Sequence, residues 1–278
     1  MATACESTSD VLCAENLALM RSFPSASCDL IYVDPPFDLG ADLPTNRNKP
    51  GLSRDEDNAR RFDFLAFLKP RAAEMWRLLT ERGSVYVHLD WRTVHHVKVL
   101  FDELFGTAHF LNEIIWSYRS GGRPGRWFPR KHDTLLLYAK SPGRHTFNQL
   151  RGGRYRTRDL KTTADGRPYK STRSGPIYFD PRGPAISDVW DVPFLSTVSS
   201  ERTDYPGQKP ESLLERVVRA SSNEGDLVAD FFCGSGTTLV VAKRLRRRYL
   251  GCDSNPDAVA IARRRLAAVP DLHETAGA

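Results

Sequence analysis

Leu227-Val-Ala-Asp-Phe-Phe-Cys-Gly-Ser-Gly-Thr-Thr238 joins a short apolar, β-branched run to a glycine-rich turn and then to a helical segment, Thr238 to Arg247. Glycines at a strand-to-helix turn admit positive φ and close backbone approach, and the helix start that follows attracts a carboxylate or a phosphate. Gly234 and Gly236 fit the first two positions of a dinucleotide fingerprint, but Leu239 stands where its third small residue belongs, which argues against a nicotinamide cofactor. The next strand, Tyr249 to Cys252, ends at Asp253, seventeen residues after Gly236, the separation of an acid that binds ribose hydroxyls. These features favour an adenosine-containing cofactor; a plain glycine turn beside a helix-capping Asp253 is the alternative they leave open.

The second informative stretch is Asp34-Pro-Pro-Phe37, directly after the strand Asp29 to Val33. An open α/β sheet presents its ligands at the carboxyl ends of its strands, where this tetrapeptide falls. Pro35 and Pro36 fix the backbone and remove two donors, leaving carbonyls free to accept. An exocyclic amine on adenine or cytosine is a poor nucleophile because its lone pair is delocalised into the ring. The Asp34 carboxylate and Pro35 carbonyl can hold its two N–H bonds and favour a pyramidal nitrogen aimed at a methyl donor, while Phe37 can stack on the extruded base. A rigid strand-to-loop turn is the competing reading of the same four residues.

Further strands are expected at Val11 to Ala14, Ser84 to Leu89, Leu111 to Tyr118 and Thr134 to Tyr138, and helical spacing marks Phe67 to Arg82, Thr93 to Leu104, Glu211 to Ala220 and Pro256 to Ala267. The alternation predicts a parallel sheet covered by helices on both faces. Two stretches break it. Asp38 to Arg61 is polar and turn-rich; His145 to Pro206 is rich in Arg, Gly and Pro, and at that length is expected to be a small functional subdomain.

Net charge is +6, and Gly143 to Arg182 alone holds ten Lys or Arg against three Asp, a local excess of +7. With Phe147, Tyr155, Tyr169, Tyr178 and Phe179 interspersed, this segment suits phosphate neutralisation and base stacking, and suits a solvated loop equally well. No apolar run reaches the roughly 18–20 residues that cross a bilayer, and Met1 to Asp10 lacks a signal-peptide layout, so no membrane contact and a cytoplasmic, nucleoid-associated location are expected. Cys5, Cys13, Cys28, Cys233 and Cys252 are odd in number without CxxC spacing, which points away from a disulfide framework and structural zinc. His88, His95 and His96 lack HExxH spacing, so no metal is expected. Asp90 reads either as a polar pocket residue or as a helix cap, and Trp116, Tyr118 and Trp127 either as core or as DNA contacts.

The pairing of Asp34-Pro-Pro-Phe37 with Phe232-Cys-Gly-Ser-Gly236, catalytic motif before cofactor motif, resembles the β-class amino-methyltransferases of DNA, the type II and type III modification methylases. Cys28 to Phe37, Gly83-Ser-Val-Tyr-Val-His-Leu-Asp90, Asn112-Glu-Ile-Ile-Trp-Ser-Tyr118, Phe128-Pro-Arg-Lys-His-Asp133, Tyr205-Pro-Gly-Gln-Lys-Pro210 and Ala220-Ser-Ser-Asn-Glu-Gly-Asp226 read as members of that family, in its order. A protein-amide methyltransferase would carry Asn-Pro-Pro-Tyr after the cofactor motif, and a non-catalytic DNA-binding module would lack Asp34 or the glycine turn. Attack on a ring carbon would need a Pro-Cys dipeptide, which the chain lacks.

The resemblance implies a class I S-adenosylmethionine-dependent methyltransferase sheet, α/β and Rossmann-like, mostly parallel with an antiparallel C-terminal hairpin, plus a small inserted target-recognition region. It divides the chain into a catalytic half (11–144), a target-recognition insertion (145–204) and a cofactor half (205–268), between tails 1–10 and 269–278. Catalysis falls to Asp34, Pro35, Pro36 and Phe37. S-adenosylmethionine is expected with its methionine portion near Phe232, Gly234, Ser235 and Gly236, its ribose near Asp253 and its adenine ring beside Glu15 and Asn16. Gln208 and Lys209 help close the pocket, and Asp34, Asp230, Cys233 and Thr237 complete the cofactor set. The family's double-stranded DNA falls to Arg123, Arg126, Arg130 and Lys131, and within the insertion to Arg151, Arg154, Arg156, Arg158, Lys161, Lys170 and Arg173. Departures are Glu15 for the usual Asp, Phe231 for a customary Pro and Gly207 for a common Thr. Asp34 at the first motif position favours adenine N6 over cytosine N4, since many cytosine enzymes of this type carry Ser there. A cognate restriction endonuclease and a homodimer are partners the family suggests by analogy.

Overall fold

The computed structural model describes residues 9–36, 54–118, 124–196, 198–203 and 205–270, with 54–61 described as backbone only. Phe37, most of the Asp38 to Arg61 stretch and Arg123 lie outside the described residues.

In chain order the elements are β1 (Asp10–Cys13), α1 (Asn16–Ser22), β2 (Cys28–Val33), α2 (Arg54–Leu78), β3 (Leu79–Leu89), α3 (Val94–Phe105), β4 (Phe110–Ser117) and β5 (His132–Ala139). There follow β6 (Lys161–Thr162), β7 (Pro168–Thr172), β8 (Gly175–Tyr178), β9 (Val189–Asp191), α4 (Glu211–Ser221), β10 (Leu227–Asp230), α5 (Thr237–Arg244), β11 (Arg248–Asp253) and α6 (Pro256–Ala267). The main sheet has the order β1-β11-β10-β2-β3-β5-β4-β9. Pairing is parallel from β1 through to β3 and again at β4–β9, while β3–β5 and β4–β5 are antiparallel. The antiparallel hairpin that the resemblance implied is β4–β5, and it closes the half of the chain that carries Asp34 rather than the chain's own C-terminus.

Side chains alternate across the pleat of β2: Ile31 and Val33 face one core with Leu68, Met75, Val97 and Phe101, while Leu30 and Tyr32 face another with Leu213, Leu214, Val217 and Val218. The sheet is thus apolar on both faces, as a parallel sheet must be when helices cover it. The stripe Leu213, Leu214, Val217, Val218 is the apolar face anticipated for α4. Asn255 caps α6 by accepting from the Asp257 N–H at 2.9 Å, with Pro256 at the first helical position.

Three boundaries differ from the sequence reading. The helix expected over Phe67 to Arg82 begins at Arg54 and ends at Leu78, and Leu79 to Arg82 instead open β3, with Leu79 opposite Cys28. The first turns of α2 are highly charged and show no apolar stripe, so periodicity had nothing to register, and the helix runs through Pro70. Within the Arg-rich stretch, β6, β7 and β8 form a separate three-stranded sheet, but β9 returns to the main sheet, setting Trp190 opposite Trp116. Asp90 closes the turn that leads into α3, its Oδ1 accepting from the Arg92 N–H at 2.9 Å and the Thr93 hydroxyl at 3.2 Å, while Thr93 itself is the N-cap position. Among the described residues no helix is long and apolar enough to cross a membrane.

Candidate functional site

Parallel pairing carries the carboxyl ends of β1, β2, β10 and β11 to one edge of the sheet, and a cavity of about 620 Å³ opens there. Its walls come from residues 14–16, 34–36, 205–209 and 230–235, with Tyr32, Phe67, Arg71, Leu214, Thr237, Thr238, Asp253 and Ser254. Segments almost two hundred positions apart therefore share one rim, and the volume is that of a typical small-molecule site.

The glycine turn is shaped by backbone conformation. Gly234 has φ +48°, its N–H donates to Asp253 Oδ2 at 3.0 Å, and a Cβ there would lie 2.7 Å from the Tyr205 ring. Gly236, at φ +76°, does not line the cavity; it faces α6, where a Cβ would meet that of Ala262 at 2.7 Å. Arg265 grips the turn from behind, donating to the Ser235 carbonyl at 2.9 Å and the Thr237 hydroxyl at 2.9 Å, and pairs with Glu211 at 2.8 Å. Asp230 is buried beneath it; Oδ1 accepts the Phe232 N–H at 3.0 Å and Oδ2 the Thr238 hydroxyl at 2.6 Å. Burial pushes its carboxyl up to about 7 against the pull of those two hydrogen bonds, with Asp34 and Asp253 adding to the rise. Cys233 is buried, which pushes its thiol far above the ordinary range, so it supplies packing and no thiolate.

Across the cavity Glu15 caps α1, accepting from the Leu17 N–H at 3.0 Å and the Ala18 N–H at 2.7 Å, and pairs with Arg71 at 2.6 Å. Burial opposes its ionised form, but those N–H groups and Arg71 prevail and hold its carboxyl below the ordinary range. Asn16 donates to the Phe231 carbonyl at 3.0 Å and accepts from Arg71 at 2.7 Å, bridging the two halves. Gln208 turns inward, accepting from Thr203 N–H and hydroxyl, each at 2.7 Å, and donating to the Glu201 carbonyl at 2.6 Å, which holds the loop over the cavity. Lys209 donates to Asp34 Oδ2. The second oxygen, Oδ1, is buried without a hydrogen-bond partner.

The cavity thus gathers the carboxylates of Glu15, Asp34 and Asp253 around Arg71 and Lys209, an excess of acid that fits a ligand carrying a sulfonium and an ammonium charge. The tight glycine turn, where a Cβ on Gly234 would strike the Tyr205 ring, fits it further. Below this rim Tyr32 bonds His88 Nδ1 at 2.8 Å, and Asp133 lies 3.5 Å from His88 Nε2 and accepts from the Tyr118 hydroxyl at 3.2 Å. His88 is therefore a satisfied buried side chain, and the described residues hold no metal-binding cluster.

The cationic candidates separate into groups. Arg126 and Arg130 are exposed and Lys131 half-buried just before β5, whereas Arg154, Arg156, Arg158, Lys161 and Arg173 are exposed and Lys170 half-buried in or beside the small sheet. Arg151 is spent inside that region, on Asp180 at 3.2 Å and Gln149 at 2.6 Å. The aromatic rings there pair with one another, Tyr155 with Phe179 at 4.8 Å and Tyr169 with Tyr178 at 5.9 Å. Sequence reasoning missed Tyr32, Phe67, Arg71 and Tyr205 as cavity residues and Arg265 as its support. Tyr205 heads a motif quoted above, but Arg71 and Arg265 carry no local signal, since only packing brings them to the site.

Comparison with known proteins gives a consistent result. Residues 28–264 match the N6/N4 DNA methylase family. The Type II methyltransferase M.HpaI of Haemophilus parainfluenzae is 31% identical over 256 residues, 92% of this chain and 73% of that protein. The DNA adenine methyltransferase YhdJ of Escherichia coli (strain K12) is 30% identical over 275 residues, 96% of this chain and 87% of that protein. Among solved structures, TTHA0409 of Thermus thermophilus complexed with S-adenosyl-L-methionine superposes with a TM-score of 0.59 at 26% identity, covering 95% of each chain. The M1.HpyAVI–SAM complex, at 19% identity, shares the fold with a TM-score of 0.61 over 92% of this chain and 98% of its own.

Proposed function

We propose adenine N6 as the methyl acceptor, on a premise the family match establishes: the chain belongs to the N6/N4 DNA methylase family and is an S-adenosylmethionine-dependent DNA methyltransferase. Asp34 at the head of the Pro-Pro-Phe tetrapeptide favours adenine over cytosine, as does likeness along nearly the whole chain to a protein named as an adenine methyltransferase.

The observation that carries the reading is the Asp34 carboxylate, held through Oδ2 by Lys209 while Oδ1 stays buried and unpartnered beside Pro35 at the cavity wall. Such an oxygen leaves an acceptor unmet, and an amine N–H satisfies it. In this reading Oδ1 takes one amine N–H and the Pro35 carbonyl takes the other, which pyramidalises the nitrogen and directs its lone pair along the transfer line. S-adenosylmethionine supplies a methyl already activated by its sulfonium. Positioning and electrostatics then provide most of the acceleration, and no covalent enzyme intermediate is needed. Glu15 and Asp253 keep the cavity attractive to a cation, Gly234 lets the backbone approach, and Phe37 stacks on the base. Exposed Arg154, Arg156, Arg158 and Arg173 hold phosphates while the nucleotide is rotated out. The division into catalytic half, target-recognition insertion and cofactor half belongs to the same proposal, as do a cognate restriction endonuclease and a homodimer.

Nucleoside mass spectrometry on DNA from a host expressing the protein tests the choice of base. N6-methyldeoxyadenosine is expected; N4-methyldeoxycytidine in its place would retain the family activity and defeat the assignment to adenine.

A further inference from the structure

Three aromatic side chains stand out at the edge of the sheet where Asp34 lies, outside the cavity. Trp91, just after β3, is 45% exposed; Trp127 and Phe128, before β5, are 59% and 94% exposed. Strand register fixes their level. Val87 lies opposite Val33, which sets Leu89 level with Pro35, and Thr134 lies opposite Leu89. The chain preceding Thr134 therefore runs out past the strand ends on the side of Asp34, two strand spacings or about 10 Å across from β2.

This segment is anchored, yet its phenylalanine is not. Arg130 lays its guanidinium 3.6 Å over the Trp91 ring, and the Tyr118 N–H bonds the Lys131 carbonyl at 2.9 Å, which ties down the end next to β5. Pro129 confines Phe128 to extended backbone. A ring left almost wholly in water contributes little to the core, and with Trp127 and Trp91 it makes an apolar projection on the rim. Around it the stretch from Pro124 to His132 carries Arg126, Arg130 and Lys131 and no acid. Charge complementarity with this ring of cations selects duplex DNA as occupant, phosphates on the basic groups and an aromatic plane against the bases.

We propose that Phe128 is a wedge that enters the base stack beside the target nucleotide, filling the space left as that nucleotide rotates toward Asp34. The proposal rests on the reading that the chain methylates a base in duplex DNA. An apolar plane offsets the stacking lost when a base leaves, so its absence should matter only where stacking must be broken.

The test compares the unaltered chain with Phe128→Ala and Phe128→Leu in single-turnover methyl transfer on two duplexes carrying its recognition site, one fully paired and one with the target base opposite an abasic position. Phe128→Ala is expected to lose about tenfold or more on the paired duplex, Phe128→Leu to retain most of the rate, and all three to agree within a few-fold on the abasic duplex. Equal rates on the paired duplex, or an equal loss on both, would overturn the wedge. Absence of transfer by the unaltered chain on either duplex would defeat the functional reading itself, and the wedge with it. Fluorescence of 2-aminopurine at the target position gives a second readout: a rise with the unaltered chain, and a much smaller one with Phe128→Ala.

Discussion

Replacing Asp230 by Asn removes one ionisable group without emptying its site. The Asn carbonyl can still accept the Phe232 N–H, and its amide can donate to the Thr238 hydroxyl, which either gives or takes a hydrogen bond. In the folded chain the Asp230 carboxyl is pushed up to about 7 from an ordinary value of 3.8, so between those limits the folded state keeps a proton that the unfolded state has released. Stability therefore falls as pH rises through that window, by about 1.4 kcal/mol per unit and roughly 4 kcal/mol in all, and levels off once both states are ionised. Asp133 and Glu15 have the opposite sign. Burial opposes their ionisation, but His88 with Lys209 and Tyr118 in one case, and backbone N–H groups with Arg71 in the other, hold them low, so their contribution is lost as pH falls. Both terms cancel in the difference between the two chains. Urea unfolding without cofactor, from about pH 4.5 to about pH 8 at fixed ionic strength, should show Asp230→Asn gaining on the unaltered chain by about 3 kcal/mol as pH rises. A difference independent of pH would refute the idea of a carboxyl forced into a dry site beneath the cofactor turn.

Gly236→Ala should destabilise the fold, adding about 1–3 kcal/mol for a non-glycine residue at this positive φ and a further ~1–3 kcal/mol for overpacking against Ala262, read as a lower urea midpoint. An unchanged midpoint would mean that the turn relaxes freely. Changing Arg154, Arg156 and Arg158 together to Ala should weaken DNA binding and reduce the slope of log K against log salt by about 0.9 for each phosphate contact removed. An unaltered slope would take those residues out of the DNA interface.

What was legible in the sequence was local. Asp34-Pro-Pro and the Gly234 turn announce themselves because backbone freedom and missing donors are encoded in consecutive residues, and the Leu213 to Val218 stripe shows through helical period. The start of α2 did not, because charge covers its first turns and leaves no apolar period to register. Strand β9 spans three residues, too few for a pattern, and is held by its register with β4 and by Trp116 donating to the Val192 carbonyl at 2.8 Å. Arg71 and Arg265 reach the site only through tertiary packing. Gly236 carries a requirement that its motif does not announce, space for the Ala262 side chain of α6.

A paired measurement with Asp34→Ala bears most directly on the role given to that carboxylate: calorimetric affinity for S-adenosylmethionine, and the rate of methyl transfer to DNA. The expected outcome is a rate reduced by about 10²-fold or more with cofactor affinity changed only a few-fold, because the proposal has the carboxylate align the amine and leaves the other ligand to the turn that Gly234 and Asp253 build together. Equal loss of both would assign Asp34 to building the pocket and contradict its place at the reacting nitrogen.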